Sequence, residues 1–119
     1  MKPFRILVID DEPVICKGCS LTLSDEGHLV HTRMTGKAGM EAIREGGYDL
    51  ILLDMKLPDM DGMEILKAVH TTTPAIYLIV MTGYSNVQNA IEAMKSGAFD
   101  YLTKPFTDDE LLIAVKKAI

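Results

Sequence analysis

Three short runs in this chain are apolar at almost every position: ILVI at 6–9, LILL at 50–53 and IYLIVM at 76–81. None alternates with polar residues, and each has the length of a strand rather than a helix. Such a run is expected to be a strand covered on both faces, which is the signature of a parallel sheet with helices packed on each side. The runs also stop abruptly. Asp10 and Asp11 follow the first, Asp54 the second, and Thr82 and Gly83 the third.

The segments between them carry helical spacing and helix punctuation. Pro13 to about Asp25 places a proline in its first turn and Gly27 just past its end. Lys37 to Glu45 is stopped by Gly46-Gly47, and Gly62 to Val69 follows a turn at Pro58. Ser85-Asn86-Val87-Gln88 reads as a capping box opening a helix that ends at Lys95-Ser96-Gly97. Thr107-Asp108-Asp109-Glu110 reads as another, opening a helix that runs to Ile119. Leu29 to Met34 and Tyr101 to Thr103 complete the pattern as weaker strands. The sum is an α/β chain of type (βα)5, a doubly wound parallel five-stranded sheet. Right-handed crossovers leave few topologies, and the flavodoxin-like order 2-1-3-4-5 is expected.

At 119 residues the chain is expected to form a single domain over residues 1–119, large enough to bury a core without disulfides. Its net charge of −5 argues against a nucleic-acid surface. The start, MKPFR, has no secretory pattern, and no stretch approaches the roughly 18 apolar residues of a membrane span, so a cytoplasmic location is expected. Cys16 and Cys19 form a C-x-x-C, but inside a helix rather than at its tip. With His28 and His31 the spacing misses the zinc-finger pattern. Cys19 is expected in the core beside Ile15 and Leu23, and Cys16 as a free surface thiol. His28, His31 and His70 lie away from the strand ends that carry the acids.

Sites in such sheets form at the carboxyl ends of strands. Asp10, Asp11 and Glu12 stand after the first strand, Asp54 after the third, Thr82 at the fourth and Lys104 after the fifth. Asp10, Asp11 and Asp54 would crowd three negative charges, and two unit charges at about 4 Å repel by roughly 4 kcal/mol at an effective dielectric near 20. Lys104 offsets one of them. The remainder calls for raised pKa values or for a divalent cation, and an oxygen-rich site with open positions suits Mg2+. A carboxylate beside a metal, facing a lysine and a hydroxyl, is equipped for phosphoryl transfer through an aspartyl-phosphate. Asp59 and Asp61 read as turn formers.

The stretches VIDDEP, LLDMKLPDMDG, VMTGYS and FDYLTKPF together resemble the receiver (CheY-like) domains of two-component response regulators, over nearly the whole chain. The stretch around MTGY and GAFDYLTKPF is similar to receivers of the nitrogen-regulator type, which precede sigma-54 activator modules. The resemblance implies that Asp54 accepts a phosphoryl group from a histidine kinase. It implies that Asp10 and Asp11 hold Mg2+ with Asp54 and the backbone carbonyl of Lys56. Thr82 matches the switch hydroxyl, Tyr101 the aromatic switch that turns inward, and Lys104 the lysine that pairs with the phosphoryl group. The Lys104-Pro105 bond matches one that is cis in the family. Lys56 and Tyr84 fall where the family varies and where the lifetime of the phosphoryl group is set.

On this reading the chain is the N-terminal part of a longer response regulator. It catalyses its own phosphorylation and slow dephosphorylation, and it acts in transcriptional regulation. Phosphorylation repacks the face made by the fourth helix, fifth strand and fifth helix. That changes affinity for an output domain or partner, with phosphorylation-dependent homodimers among the outcomes. Three alternatives compete. A haloacid-dehalogenase-like phosphatase wants an acid two residues after its nucleophile, where this chain has Lys56. A flavin or nucleotide binder wants a phosphate-cradling loop where this chain has Asp10-Asp11-Glu12. A degenerate receiver that binds partners without phosphorylation would not need the complete acidic set.

Overall fold

The computed structural model describes residues 2–83 and 87–119. Strands and helices alternate in the order β1 (Arg5–Ile9), α1 (Pro13–Asp25), β2 (Leu29–Arg33), α2 (Gly36–Glu45), β3 (Leu50–Asp54), α3 (Gly62–Thr72), β4 (Tyr77–Gly83), α4 (Val87–Lys95), β5 (Asp100–Lys104) and α5 (Asp108–Ala118). All neighbours pair in parallel, in the order β2-β1-β3-β4-β5. This is the expected flavodoxin-like topology.

The apolar runs behave as their composition demands. Ile6, Val8, Leu50, Leu52, Ile79 and Met81 point to one face, where Cys16, Cys19 and Leu23 of α1 and Leu111, Ala114 and Val115 of α5 cover them. Leu7, Ile9, Ile51, Leu53, Leu78 and Val80 point to the other, under α2, α3 and α4. The period of two thus divides one uninterrupted run between two cores, so no position in it can be polar. The order reverses at β1 and β3, which leaves a crevice at their carboxyl ends.

Element ends differ from expectation in instructive ways. Helix α3 runs three residues past Val69, its last turn closed by Thr73 N–H donating to the Val69 carbonyl at 2.8 Å. Strand β4 continues through Thr82 and Gly83, which lie level with Thr103 and Lys104 of β5. The capping box expected at Ser85 falls outside the described residues, as does Tyr84. The box at Thr107 is complete, with Thr107 Oγ1 accepting from Glu110 N–H and Glu110 accepting from Thr107 N–H. The Lys104-Pro105 peptide is cis.

Cys16 is a correction. It is buried, not a surface thiol, and its Sγ donates to the Asp10 carbonyl at 3.2 Å. The buried stripe of α1 runs through Cys16, Cys19 and Leu23, and Ile15 is half-buried against the same core as expected; the contact with the β1 exit seals Cys16 as well. Burial pushes the Cys19 thiol up to about 12 and raises that of Cys16, with the Asp10 charge adding to both. His28 lies at the opposite end of the sheet from the acids, where its Nδ1 accepts from Phe4 N–H.

One close approach fixes the entry to α3. A Cβ at Gly62 would come within 2.7 Å of both the Asp54 carbonyl oxygen and the Met55 Cα, both backbone atoms. Gly62→Ala is therefore expected to lower the free energy of unfolding by about 1–3 kcal/mol, read from the urea midpoint.

Candidate functional site

Four acids converge at the carboxyl ends of β1 and β3. One ligand oxygen from each of Asp10, Asp11, Glu12 and Asp54 lies within 4.8 Å of the others. Asp10 and Asp54 are buried, whereas Asp11 and Glu12 are exposed. Strand pairing dictates this: β1 and β3 are adjacent, with Ile9 level with Leu53. The residues that end the two apolar runs must then meet.

Lys104 reaches into this cluster from the end of β5. Its Nζ lies 2.7 Å from Asp10 Oδ2, 3.1 Å from Glu12 Oε1 and 3.5 Å from Asp54 Oδ2. The remaining oxygens are held by the backbone. Glu12 N–H donates to Asp10 Oδ1 at 2.8 Å, and Lys56 N–H donates to Asp54 Oδ1 at 3.1 Å. Thr82, 3% exposed, closes the β4 side, one residue beyond the partner of Asp54 in the sheet.

The two buried carboxyls, Asp54 and Asp10, are both raised, chiefly by burial. Burial pushes Asp54 up to about 6; the Lys56 N–H and Lys104 oppose the rise and the Asp10 charge adds to it. Burial likewise raises Asp10, against the pull of Lys104 and the Glu12 N–H. Burial alone would lower Lys104, but the Asp10 and Glu12 carboxylates outweigh it and hold the ammonium above its ordinary value. Asp10 Oδ2 is fully buried, and its close partner among the described residues is the Lys104 ammonium at 2.7 Å. Four carboxylates around one ammonium, two of them buried, make a hard, oxygen-rich cluster that fits a divalent cation of the Mg2+ kind.

Of the residues singled out in the sequence, Asp10, Asp11, Asp54, Thr82 and Lys104 are gathered here, and Lys56 joins through its backbone. Tyr101 stands apart. It lies on the edge strand β5, 46% exposed, in an apolar groove with Val87, Ala90, Ile91 and Met94 of α4. Two participants were missed. Glu12, which the sequence only places after the first strand, shares Lys104 with Asp10; its position directly after the acid pair is the available signal. Asp59 was read as a turn former. Asp61 does cap α3 by accepting from Met63 N–H, but Asp59 crosses to α2 and accepts from Gly36 N–H at 2.7 Å and Lys37 N–H at 2.9 Å.

Comparison with known proteins agrees with this geometry. A family model described as the response regulator receiver domain matches residues 6–116. The transcriptional regulatory protein ZraR of Escherichia coli K12 is 40% identical over 114 residues, covering 96% of this chain and 26% of the relative. The regulatory protein AtoC of the same organism is 35% identical, covering 97% of this chain and 25% of its own length. The chain thus spans about a quarter of these regulators. A receiver domain protein from Clostridium thermocellum superposes with a TM-score of 0.91 at 40% identity, covering 98% of this chain and 94% of that one. NtrX from Brucella abortus superposes with a TM-score of 0.93 at 31% identity, covering 98% and 27%. Among the described residues no helix is long and apolar enough to cross a membrane.

The raised Asp54 carboxyl gives a stability prediction. Its folded value, about 6, lies above the ordinary value near 3.8. Protonation therefore favours the folded state, and that contribution is full below about pH 4 and lost as pH rises through 6. In metal-free buffer at pH 7.5, Asp54→Asn is expected to be about 1–3 kcal/mol more stable than the native chain by urea unfolding, and the difference is expected to vanish near pH 4.

Proposed function

The chain belongs to the response regulator receiver family of two-component systems, and from that premise we propose that Asp54 is its phosphoryl acceptor. The observation that carries the proposal is the asymmetry of the Asp54 carboxyl. Oδ1 is held by Lys56 N–H, while Oδ2 faces the Lys104 ammonium at 3.5 Å. Oδ2 is the oxygen left to attack. It forms a bond to the phosphorus of a phosphohistidine on a histidine kinase as the bond from phosphorus to the imidazole nitrogen breaks, and the imidazole leaves carrying its electron pair.

The chain's own groups prepare that step. Lys104 is poised beside the nucleophile, so its ammonium can turn from Asp10 and Glu12 to oxygens of the arriving phosphoryl group. The Lys56 N–H fixes the plane of the nucleophile. Asp10, Asp11 and Asp54, with the Lys56 carbonyl, are the groups that would hold Mg2+. Receiver domains of the family bind this ion at an acidic pocket, and it supplies the positive charge that lets an anionic donor approach these acids. Thr82 then offers its hydroxyl to the phosphoryl oxygens from the end of β4.

The response follows from position. Thr82 moving toward the phosphoryl group vacates space behind it, and the exposed Tyr101 ring turns inward to fill that space. The α4-β5-α5 face is repacked, and with it the affinity for an output domain, a partner protein or a second copy of the chain. A nearly complete two-state switch needs about 5.5 kcal/mol of differential stabilisation, within reach of a new dianionic group with two or three charge-assisted hydrogen bonds. The domain is the N-terminal part of a longer cytoplasmic regulator of transcription, with the receiver itself making no nucleic-acid contact. ZraR and AtoC, both named as regulators and both about four times its length, support that reading.

Intact-mass spectrometry after incubation with acetyl phosphate tests the chemistry. The native chain with Mg2+ is expected to gain one phosphoryl mass. Asp54→Asn, or the native chain in excess chelator, is expected to gain none. Equal labelling of Asp54→Asn would place the acceptor elsewhere and end the proposal.

A further inference from the structure

The loop between β3 and α3 carries the Lys56 amide that orients Asp54, so whatever fixes this loop also fixes the nucleophile. Its internal contacts give it shape but do not locate it. Lys56 and Asp61 form an antiparallel bridge, and Gly62 N–H donates to the Met55 carbonyl at 3.0 Å. Both contacts close the loop on itself.

Its base is held to β4 by Met55 N–H donating to the Met81 carbonyl at 3.3 Å, and its tip is held separately. Asp59 accepts from Gly36 N–H through Oδ1 and from Lys37 N–H through Oδ2. These are the first two amides of α2, which have no partner within the helix and lie at its positive end. Both bonds are short, as expected for a carboxylate taking two backbone donors. They also hold the Asp59 carboxyl below its ordinary value. Met60, next in the chain, sits directly on Gly36, where a Cβ would collide with its side chain.

Helix α2 is a firm anchor because it is pressed onto β1. A Cβ at Gly39 would come within 2.6 Å of Ile9 Cδ1, and Ile9 immediately precedes Asp10. The helix does not rely on Asp59 alone for its start, since Thr35 Oγ1 accepts from Ala38 N–H at 3.1 Å. The path therefore runs from the β1 exit, through Gly39 and the first turn of α2, across Asp59, to the Lys56 amide and Asp54.

We infer that Asp59 is a positioning residue for phosphoryl transfer, bracing the loop after the acceptor against α2 so that the Lys56 amide holds Asp54 in its attacking orientation. This inference rests on the reading of Asp54 as acceptor.

Three variants separate its role from helix stability: Asp59→Ala, Asp59→Asn and Thr35→Ala. The rate of Mg2+-dependent labelling by acetyl phosphate is measured for each, together with the position of the Lys56 amide in the 1H–15N spectrum without metal or donor. Asp59→Ala is expected to slow labelling about tenfold and to displace the Lys56 amide resonance. Asp59→Asn keeps one acceptor oxygen and is expected to recover part of both. Thr35→Ala removes the other cap of α2, and is expected to lower stability while keeping the native rate and the native Lys56 resonance. Native labelling in Asp59→Ala would overturn the inference, and so would equal slowing in Thr35→Ala. A native chain that takes no phosphoryl group would instead overturn the acceptor reading, and this inference with it.

Discussion

The arrangement of Asp10, Glu12 and Asp54 around one ammonium is the constraint on which the rest of the molecule depends. Burying two carboxylates beside a single lysine is unfavourable in a folded chain: burial, with the Asp10 charge adding to it, raises the Asp54 carboxyl to about 6. Left to relax, the acids would move apart into solvent. Asp10 and Asp54 cannot, because Asp10 directly follows β1 and Asp54 ends β3, two strands whose apolar residues are sealed in the cores on both faces. The double-sided burial of β1 and β3 is thus what keeps charges of like sign together. The site draws on stability generated elsewhere, as sites that need strained or repelling groups do.

The two helical layers serve different parts of that arrangement. Helices α1 and α5 cover one face, and α1 meets the site through Cys16, whose thiol hydrogen-bonds the Asp10 carbonyl. Helices α2 and α3 cover the other face and flank the loop that follows Asp54. Gly39 lets α2 lie against Ile9, and Gly62 lets α3 start against the backbone of Asp54 and Met55. Larger residues at these two positions would push a helix away from the strand end it supports. The glycines are placed by close approach, and neither has a left-handed backbone.

What was legible in the sequence follows the same division. Apolar runs, capping residues and the polar residues that end each strand are local signals; they lay out the elements, and with the flavodoxin-like strand order they gather Asp10, Asp11, Asp54, Thr82 and Lys104 at one end. Side chains that act across the fold were not legible. Asp59 looks like a turn aspartate because turns favour aspartate for local reasons. Its partners Gly36 and Lys37 lie more than twenty residues away, and nothing near it marks the start of α2 as a neighbour. Glu12 was hidden in a similar way, being 92 residues from Lys104. Cys16 differs from expectation because helical periodicity gives a face to within about one residue, and the contact with the Asp10 carbonyl draws Cys16 in beside Ile15, Cys19 and Leu23.

The same reasoning bears on where a signal can leave the site. Strands β1 and β3 are interior and sealed on both faces, so motion there would disturb two cores at once. Strand β5 is an edge strand paired only with β4, and of its five residues only Leu102 is buried. Helix α4, which packs beside it, is nine residues long and contributes Ala90 and Ala93 as its buried residues, small side chains that fill little volume. This lightly anchored edge of the fold adjoins Thr82 and Lys104, the two groups proposed to engage a phosphoryl group. Regions with few buried apolar contacts are those that rearrange at low cost. A change of charge at Asp54 is expected to pass outward from Thr82, at the carboxyl end of β4, to β5 and the groove lined by Ile91, Met94 and Tyr101. The inner strands can stay in place while it does.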